Sequence, residues 1–549
     1  MEELKDAYFD VVVTKTGLPE SVLAALLASS GKSVLHLDSN PFYGSDWATL
    51  SLGKLKNHFA SCYLSQNGAT KPRDTTTSTE LQQMILQKEQ FQQYNNINIV
   101  PVEEIRTFSD VQIVDLCSAV EDEWLKSTLI DLTPQIILAS GQAVDMLVRT
   151  QASSHLEFRG VDQVLYLDSS GHTERVPTSR NDIFRSTLLT PSEKRLFMKF
   201  LKTCAVYEPS LFQYEGRDGG LLSAGQVVSS NEERGEKEQL QEWFASVQSL
   251  DDWLDKLGFT DRLKQYLFAL LGCCGERYES CSVVHVVERI SQYCCAVQRF
   301  RISSGFLYCK YGTGDICEAL CRRCAVHGGV YILRRQVAYL ICDSLQVIGL
   351  VTDYGDVIRC SGVVGCLHYF MPTCQIETTI NNKGMWRLYM ILDRPILLPG
   401  KGVDVFTTSR SVPVHDNIAN EQSPSQQSTC WVQGIQIEQS IDSSHTAYVF
   451  YLFCDQVEHG KTILKKTLEQ WTNPTLEENT SHYSIDLMSF LRQLPGLKYA
   501  MLLFHRDWEP SFSLGHHYCC SLTKDMHSMQ SQLGKVYTCF ENILGDLQT

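Results

Sequence analysis

The stretch FDVVVTKTGLPESVLAALLASSGKSVLHLD, residues 9–38, decides the fold. Phe9 to Val13 is an apolar strand, Gly17 marks a turn, Pro19 stands near the start of a helix, and Ser33 to Leu37 reads as a second strand. Proline is tolerated in a first helical turn because the N–H it lacks has no partner there. Val22, Leu23, Leu26 and Leu27 form one apolar face, Ala24, Ala25 and Ala28 let the helix lie close to a sheet, and Gly31 is its C-terminal stop. The unit is strand–helix–strand, the opening of an α/β sheet. Asp38 ends its second strand about 20 residues beyond the glycine, where dinucleotide-binding folds place the acid that takes a ribose hydroxyl.

Such a fold needs a first glycine for the tight bend, a second so that the backbone can approach a pyrophosphate, and a third for helix packing. Here the aligned run is Thr14-Lys15-Thr16-Gly17-Leu18-Pro19-Glu20. Only Gly17 is kept. Lys15 takes the first glycine's place, where a Cβ and a long side chain disturb the bend and intrude on a cofactor. Glu20 at the third is a form that one flavoprotein branch uses. Two readings stand: a nucleotide scaffold kept for folding with its cofactor site lost, or a lysine that pairs with pyrophosphate so that FAD still binds. The first is the expectation, and with it no cofactor.

Working outward, the 549 residues are 43% hydrophobic, with 48 basic against 63 acidic side chains, a net charge of -15. That sign is wrong for a protein that lives on phosphate backbones, so nucleic acid is not an expected partner. No run reaches the length of a spanning helix; the start has no signal-peptide pattern and the end no prenylation box, so the expected place is the cytosol. The 21 cysteines, often in neighbouring pairs such as Cys273-Cys274, then read as reduced thiols. Residues 65–98 and 407–429 are rich in Gln, Thr, Ser and Asn and read as a polar, mobile insert with one amphipathic helix and a polar loop. Between 181 and 300 the pattern turns helical, with segments at Leu196 to Leu201, Leu240 to Val247, Trp253 to Leu257, Leu263 to Leu271 and Val283 to Val297. Strand-like alternation resumes at Val330 to Leu333, Gln336 to Cys342, Val347 to Thr352 and Val357 to Val364. The predicted fold class is therefore mixed α/β: a Rossmann-like, multi-sheet domain in two parts, 1–180 and 301–549, with an all-helical subdomain, 181–300, inserted between them.

Other chemical candidates fall away. Cys317, Cys321 and Cys324 have the spacing of a radical-enzyme cluster loop, but they read as i, i+4 and i+7 of one helix, which spreads the sulfurs over about 10 Å of axis. His516-His517 with Cys519-Cys520 puts consecutive residues on opposite faces of an extended stretch, so no metal is expected. There is no nucleophile elbow and no P-loop, and no catalytic residue is predicted.

The run Ser33-Val34-Leu35-His36-Leu37-Asp38-Ser39-Asn40-Pro41-Phe42-Tyr43-Gly44 resembles the signature of the family that unites Rab GDP-dissociation inhibitors and Rab escort proteins. Leu132-Thr133-Pro134 through Val144, Arg175-Val176-Pro177-Thr178, Lys194-Arg195 with Lys199-Phe200-Leu201, and Phe306-Leu307-Tyr308 through Asp315 are similar to its later blocks, in order. Leu37 to Asn40 followed by Asp46-Trp47, and the polar insert after Leu64, are similar to the escort branch. So is the closing segment, Lys498 to Leu544.

The resemblance implies an accessory, non-catalytic protein. It would bind newly made GDP-bound Rab GTPases, present them to the α/β heterodimer of Rab geranylgeranyltransferase, shelter the geranylgeranyl lipid and deliver the product to a membrane with which it associates transiently. A recycling dissociation inhibitor is the alternative, and a flavin oxidoreductase a more distant one. The family match implies that Tyr43, Arg299, Lys310 and Tyr311 face the Rab, although Lys310 departs from the family's usual apolar residue and Asp315 replaces its glutamate. Lys15, Gly17, Glu20 and Asp38 form the degenerate nucleotide turn. A prenyl pocket lined by Phe197, Phe200, Leu267, Leu270 and Leu271 is the lipid reading of residues that read equally as ordinary core. The acidic runs Glu103-Glu104 and Glu121-Asp122-Glu123 suit the steering of a basic tail, and equally a solvated face.

Overall fold

The opening unit folds as its periodicity predicts, into β1 (Tyr8–Thr14), α1 (Leu18–Ser29) and β2 (Val34–Asp38). The computed structural model describes residues 7–66, 82–94, 96–104, 107–167, 173–207, 249–273, 282–300, 302, 304–344, 346–365, 367–369, 384–396, 403–413, 427–455, 457–472, 486–506, 517–518 and 528–547. Val11, Val12 and Val13 are fully buried, which is why β1 reads as an unbroken apolar run: a central parallel strand is covered on both faces. β1 pairs in parallel with β2 on one side and with Val357–Val364 on the other, and Val330–Leu333 adds in parallel outside β2. Val337–Asp343, Gln346–Thr352 and Val357–Val364 form an antiparallel meander, so the four predicted strands of this region are present within a residue or two.

A second, eight-stranded sheet is built among the described residues from Thr173–Arg175, Gln163–Leu167, Val403–Pro413, Gln427–Ser440, Thr446–Cys454, Gly384–Leu392, Leu497–Arg506 and Phe108–Asp115. This corrects the expectation of a loop over 407–429. Val403–Pro413 pairs antiparallel with Gln427–Ser440 from Val403↔Ile437 to Pro413↔Gln427, and only 414–426 lie outside the described residues. Ladder bonds are made by backbone groups, so a polar composition does not forbid a strand. The polar insert is likewise anchored where it is described: Ile85 and Phe91 are fully buried in one apolar cluster with Ile341 and Val357 of the meander, while 67–81 and 95 lie outside the described residues.

The helical region contains Arg180–Arg185, Pro191–Tyr207, Leu250–Leu257, Asp261–Cys273 and Val283–Arg299. The helix expected at 240–247 lies outside the described residues. The bundle is joined to the sheets by polar contacts: the Tyr293 hydroxyl donates to the Thr178 carbonyl at 2.6 Å, and Tyr266 donates to Glu174 at 3.0 Å. Its apolar core is continuous with that around α1. No helix among the described residues is long and apolar enough to cross a membrane.

Candidate functional site

The site grows from the turn after β1. Lys15 adopts φ +66°, so the backbone still makes the bend that a glycine would make without strain. Its side chain is turned inward, with Nζ 3.4 Å from Asp46 Oδ2. Gly17 retains its function for a different neighbour: a Cβ there would lie 2.6 Å from the Glu20 carboxylate and 3.1 Å from the Trp47 indole. Glu20 is 2% exposed, and burial pushes its carboxyl up to about 7 against the pull of Lys15.

Asp38 is consumed locally. Its Oδ2 accepts from the Thr16 N–H at 2.8 Å, the Thr16 hydroxyl and the Ser45 hydroxyl at 2.7 Å, and its Oδ1 from Asn40 N–H and Nδ2. The residues therefore do not fit the flavin dinucleotide that folds of this type hold. The ribose acceptor is saturated, a lysine fills the first glycine's place, and carboxylates of Glu20 and Asp46 already stand where a pyrophosphate would bring two more negative charges. Glu104 is half-buried near the same turn, beside an exposed Glu103: it accepts from the Ser39 hydroxyl at 2.8 Å, and burial pushes its carboxyl up to about 7.

What this turn leaves open lies outside it. Tyr43, half-buried, meets Tyr331 edge-on with ring centroids 5.9 Å apart. The two line a cavity of about 280 Å³ with His155, Asp315, Glu318, Ala319, Cys321, Arg322 and Ala325. Asp315, Glu318, Ala319, Arg322 and Ala325 recur at three- and four-residue spacing on the helix Thr313–Val326, so one face of that helix is the cavity wall, while Ile316, Cys317, Leu320 and Cys324 are buried on the other. Cys317, Cys321 and Cys324 thus lie on one continuous helix, as thiols. Gly312 and Gly314 let its start touch the chain at Thr49; a Cβ on Gly314 would lie 2.3 Å from the Thr49 nitrogen. Asp131 caps this helix, accepting from the Thr313 N–H at 2.5 Å, and burial pushes its carboxyl up to about 6. Removal from water raises the carboxyls of Glu318 and Asp315, and Arg322 lines the same cavity.

The other predicted contact residues sit elsewhere. Arg299 ends the helix Val283–Arg299, bonds Asp145 at 3.3 Å and does not line the cavity. Lys310 pairs with Glu157 at 2.6 Å and its ammonium lies 5.0 Å from the Tyr311 ring centroid; Tyr311 is 45% exposed. Phe197, Leu267, Leu270 and Leu271 are fully buried, and Phe200, at 5%, packs on Trp253 and Phe259. In the bundle as it stands these side chains form closed core. His517 Nε2 donates to the Gly365 carbonyl at 3.0 Å. Sequence reasoning missed Glu318, Arg322 and Tyr331; a charged stripe at helical spacing after Gly312-Thr313-Gly314 was the available signal.

The model of the GDP dissociation inhibitor family matches residues 3–104, 121–219 and 226–403. The chain is 29% identical over 352 residues, 62% of its length, to Rab escort protein 1 of Arabidopsis thaliana, and 28% identical over 67% of its length to a Rab proteins geranylgeranyltransferase component A of Drosophila melanogaster. It spans 56% and 61% of the lengths of those two relatives. With component A 2 of Homo sapiens the identity is 24%, over 85% of this chain and 80% of that protein. In fold it is similar to the Rab GDI of Plasmodium falciparum, with a TM-score of 0.61 over 98% of this chain and 99% of that one, at 16% identity.

Proposed function

Because the chain belongs to the GDP dissociation inhibitor family, we propose that it is an escort: it binds newly made, GDP-bound Rab GTPases, presents them to the Rab geranylgeranyltransferase heterodimer and carries the prenylated product to a membrane. The observation that carries this reading is the division of the nucleotide scaffold. Its inner surface is taken up by the chain's own side chains, whereas the outer face at Tyr43 presents an aromatic ring among Asp315, Glu318 and Arg322. Tyrosine and arginine are enriched among interface anchors, and the mixed charges suit a folded protein partner more than a small apolar substrate. The catalytic step belongs to the transferase, and this chain supplies binding.

The helical region offers two further surfaces for that task. Phe184, 66% exposed beside Leu188 at 42%, is an apolar projection suited to docking on the transferase. The Phe197, Phe200, Leu267, Leu270 and Leu271 core is the host for lipid if its helices part. Burial of a prenyl chain yields about 0.8 kcal/mol per CH₂, enough to hold a doubly modified GTPase out of a membrane.

The test is reconstitution with purified transferase, unmodified GDP-loaded Rab and labelled geranylgeranyl donor. Stimulated incorporation is expected. Extraction of prenylated Rab from liposomes without stimulation makes the chain a recycling dissociation inhibitor instead, and neither activity removes the reading altogether.

A further inference from the structure

We infer that the abandoned nucleotide turn now works as the clamp that sets Tyr43 for its partner, with Lys15, Thr16 and Asp38 as positioning residues that the partner never touches. The inference rests on the reading that Tyr43 faces a GTPase.

Three observations carry it. First, the residues after Tyr43 take two successive left-handed conformations, Gly44 at φ +98° and Ser45 at φ +46°. A non-glycine residue holds such a conformation only when its surroundings fix it. Second, the side-chain bonds that fix Gly44 and Ser45 run to the old cofactor turn. The Gly44 N–H donates at 2.8 Å to the Thr16 hydroxyl, which in turn donates to Asp38, and the Ser45 hydroxyl donates to the same carboxylate at 2.7 Å. Asp46 then meets the Lys15 ammonium at 3.4 Å, and its carbonyl accepts from the Thr133 hydroxyl at 2.7 Å. Trp47, 3% exposed, closes the loop against Gly17. Third, none of these holding groups is available to a partner: Thr16 and Asp38 are fully buried and Lys15 is 8% exposed, while the ring they position stands in the cavity wall.

Chemically, Asp38 and Lys15, which stand at two positions that dinucleotide folds use for a cofactor, are turned toward residues 43–47. The acid that takes a ribose hydroxyl takes two side-chain hydroxyls instead, and the first glycine's position supplies a cation in place of a bend without a side chain. A geometry in which Tyr43 is preset spares the partner the cost of ordering the loop on binding.

The decisive substitution is Thr16→Val, which keeps the shape and removes the hydroxyl that joins Gly44 to Asp38. It is compared with Thr16→Ser, which keeps the hydroxyl, with Lys15→Met, and with each of these in a Tyr43→Ala background. Expected are a tenfold or greater loss of affinity for GDP-loaded Rab in Thr16→Val, retention in Thr16→Ser, and less than a twofold further loss when Thr16→Val is added to Tyr43→Ala. Amide hydrogen exchange of free protein gives a readout that needs no Rab: the Gly44, Trp47 and Ala48 amides should exchange at least tenfold faster in Thr16→Val, with the helix Thr313–Val326 unchanged. Equal losses with and without the Tyr43 ring, or unchanged exchange at 44–48 in a folded variant, overturn the inference. A parent protein that binds no GDP-loaded Rab while its variant shows the accelerated exchange overturns the functional reading and leaves the clamp standing.

Discussion

Glu20 shows how far the turn has moved from its original chemistry. The carboxyl is 2% exposed, one of its oxygens has no hydrogen-bond partner among the described residues, and burial raises its pKa from 4.5 to about 7. A folded-state pKa above the unfolded one means that the folded protein binds the proton more tightly. The stabilisation is fully present below about pH 4.5 and is lost as pH rises through about 7, an amount on the order of 3 kcal/mol. Glu20→Gln should therefore unfold at higher temperature than the parent at pH 8, with the gap closing toward pH 5; parallel curves from pH 5 to 8 would show that burial does not control this carboxyl. His36, lowered to about 4 by burial, acts in the opposite direction over part of the same range, so the informative quantity is the difference between variant and parent. At this scale the sequence was legible where one residue suffices. The place of Asp38 at a strand end and the intrusion of Lys15 follow from spacing alone. That Ser45 and Asp46 turn inward does not, because it depends on left-handed backbone at Gly44 and Ser45, which no local pattern announces.

Among the elements, the long apolar runs were legible, as in α1 and the meander strands, which are buried on nearly all sides, although Leu26 of the expected apolar face is only half-buried. Periodicity failed in the hairpin that begins at Val403, where polar residues concealed a strand that is paired along its whole described length. Arg299 lies between these cases: its helix is legible from periodicity, but its pairing with Asp145, far along the chain, sets where the guanidinium points. The short helix Arg180–Arg185 was part of a helical region in the sequence, while its exposed tip was not visible. Ser179 and Asp182 form a reciprocal capping box at its start, and the Lys194 ammonium donates to the Phe184 carbonyl at 2.9 Å, so both ends are fixed and the Phe184 ring projects from a preset base. Phe184→Ala should weaken recruitment of the transferase by about 1–3 kcal/mol, leaving the affinity for GDP-loaded Rab and the thermal transition nearly unchanged. Pull-down of transferase at a series of concentrations measures the first, and equal recruitment by parent and variant removes Phe184 from the interface.

Over the whole molecule, the core of the helical region and that of the β1–α1–β2 unit are one continuous apolar cluster, so a lipid cannot enter the bundle without disturbing packing that the protein uses to fold. This sets a test that separates the two readings of Phe200 and its neighbours. Phe200→Ala removes a ring packed on Trp253 and Phe259 and should cost the free protein about 3–5 kcal/mol. If helices part there to admit a geranylgeranyl chain, the chain fills the space that the ring vacated, and prenylated Rab should raise the melting temperature of the variant more than that of the parent. If the residues are core alone, the lipid finds no new space and the two shifts are equal. The comparison is informative because a cavity destabilises in both cases; only a lipid host recovers part of the loss when its cargo arrives, since ligand bound solely by the folded state adds its binding free energy to stability.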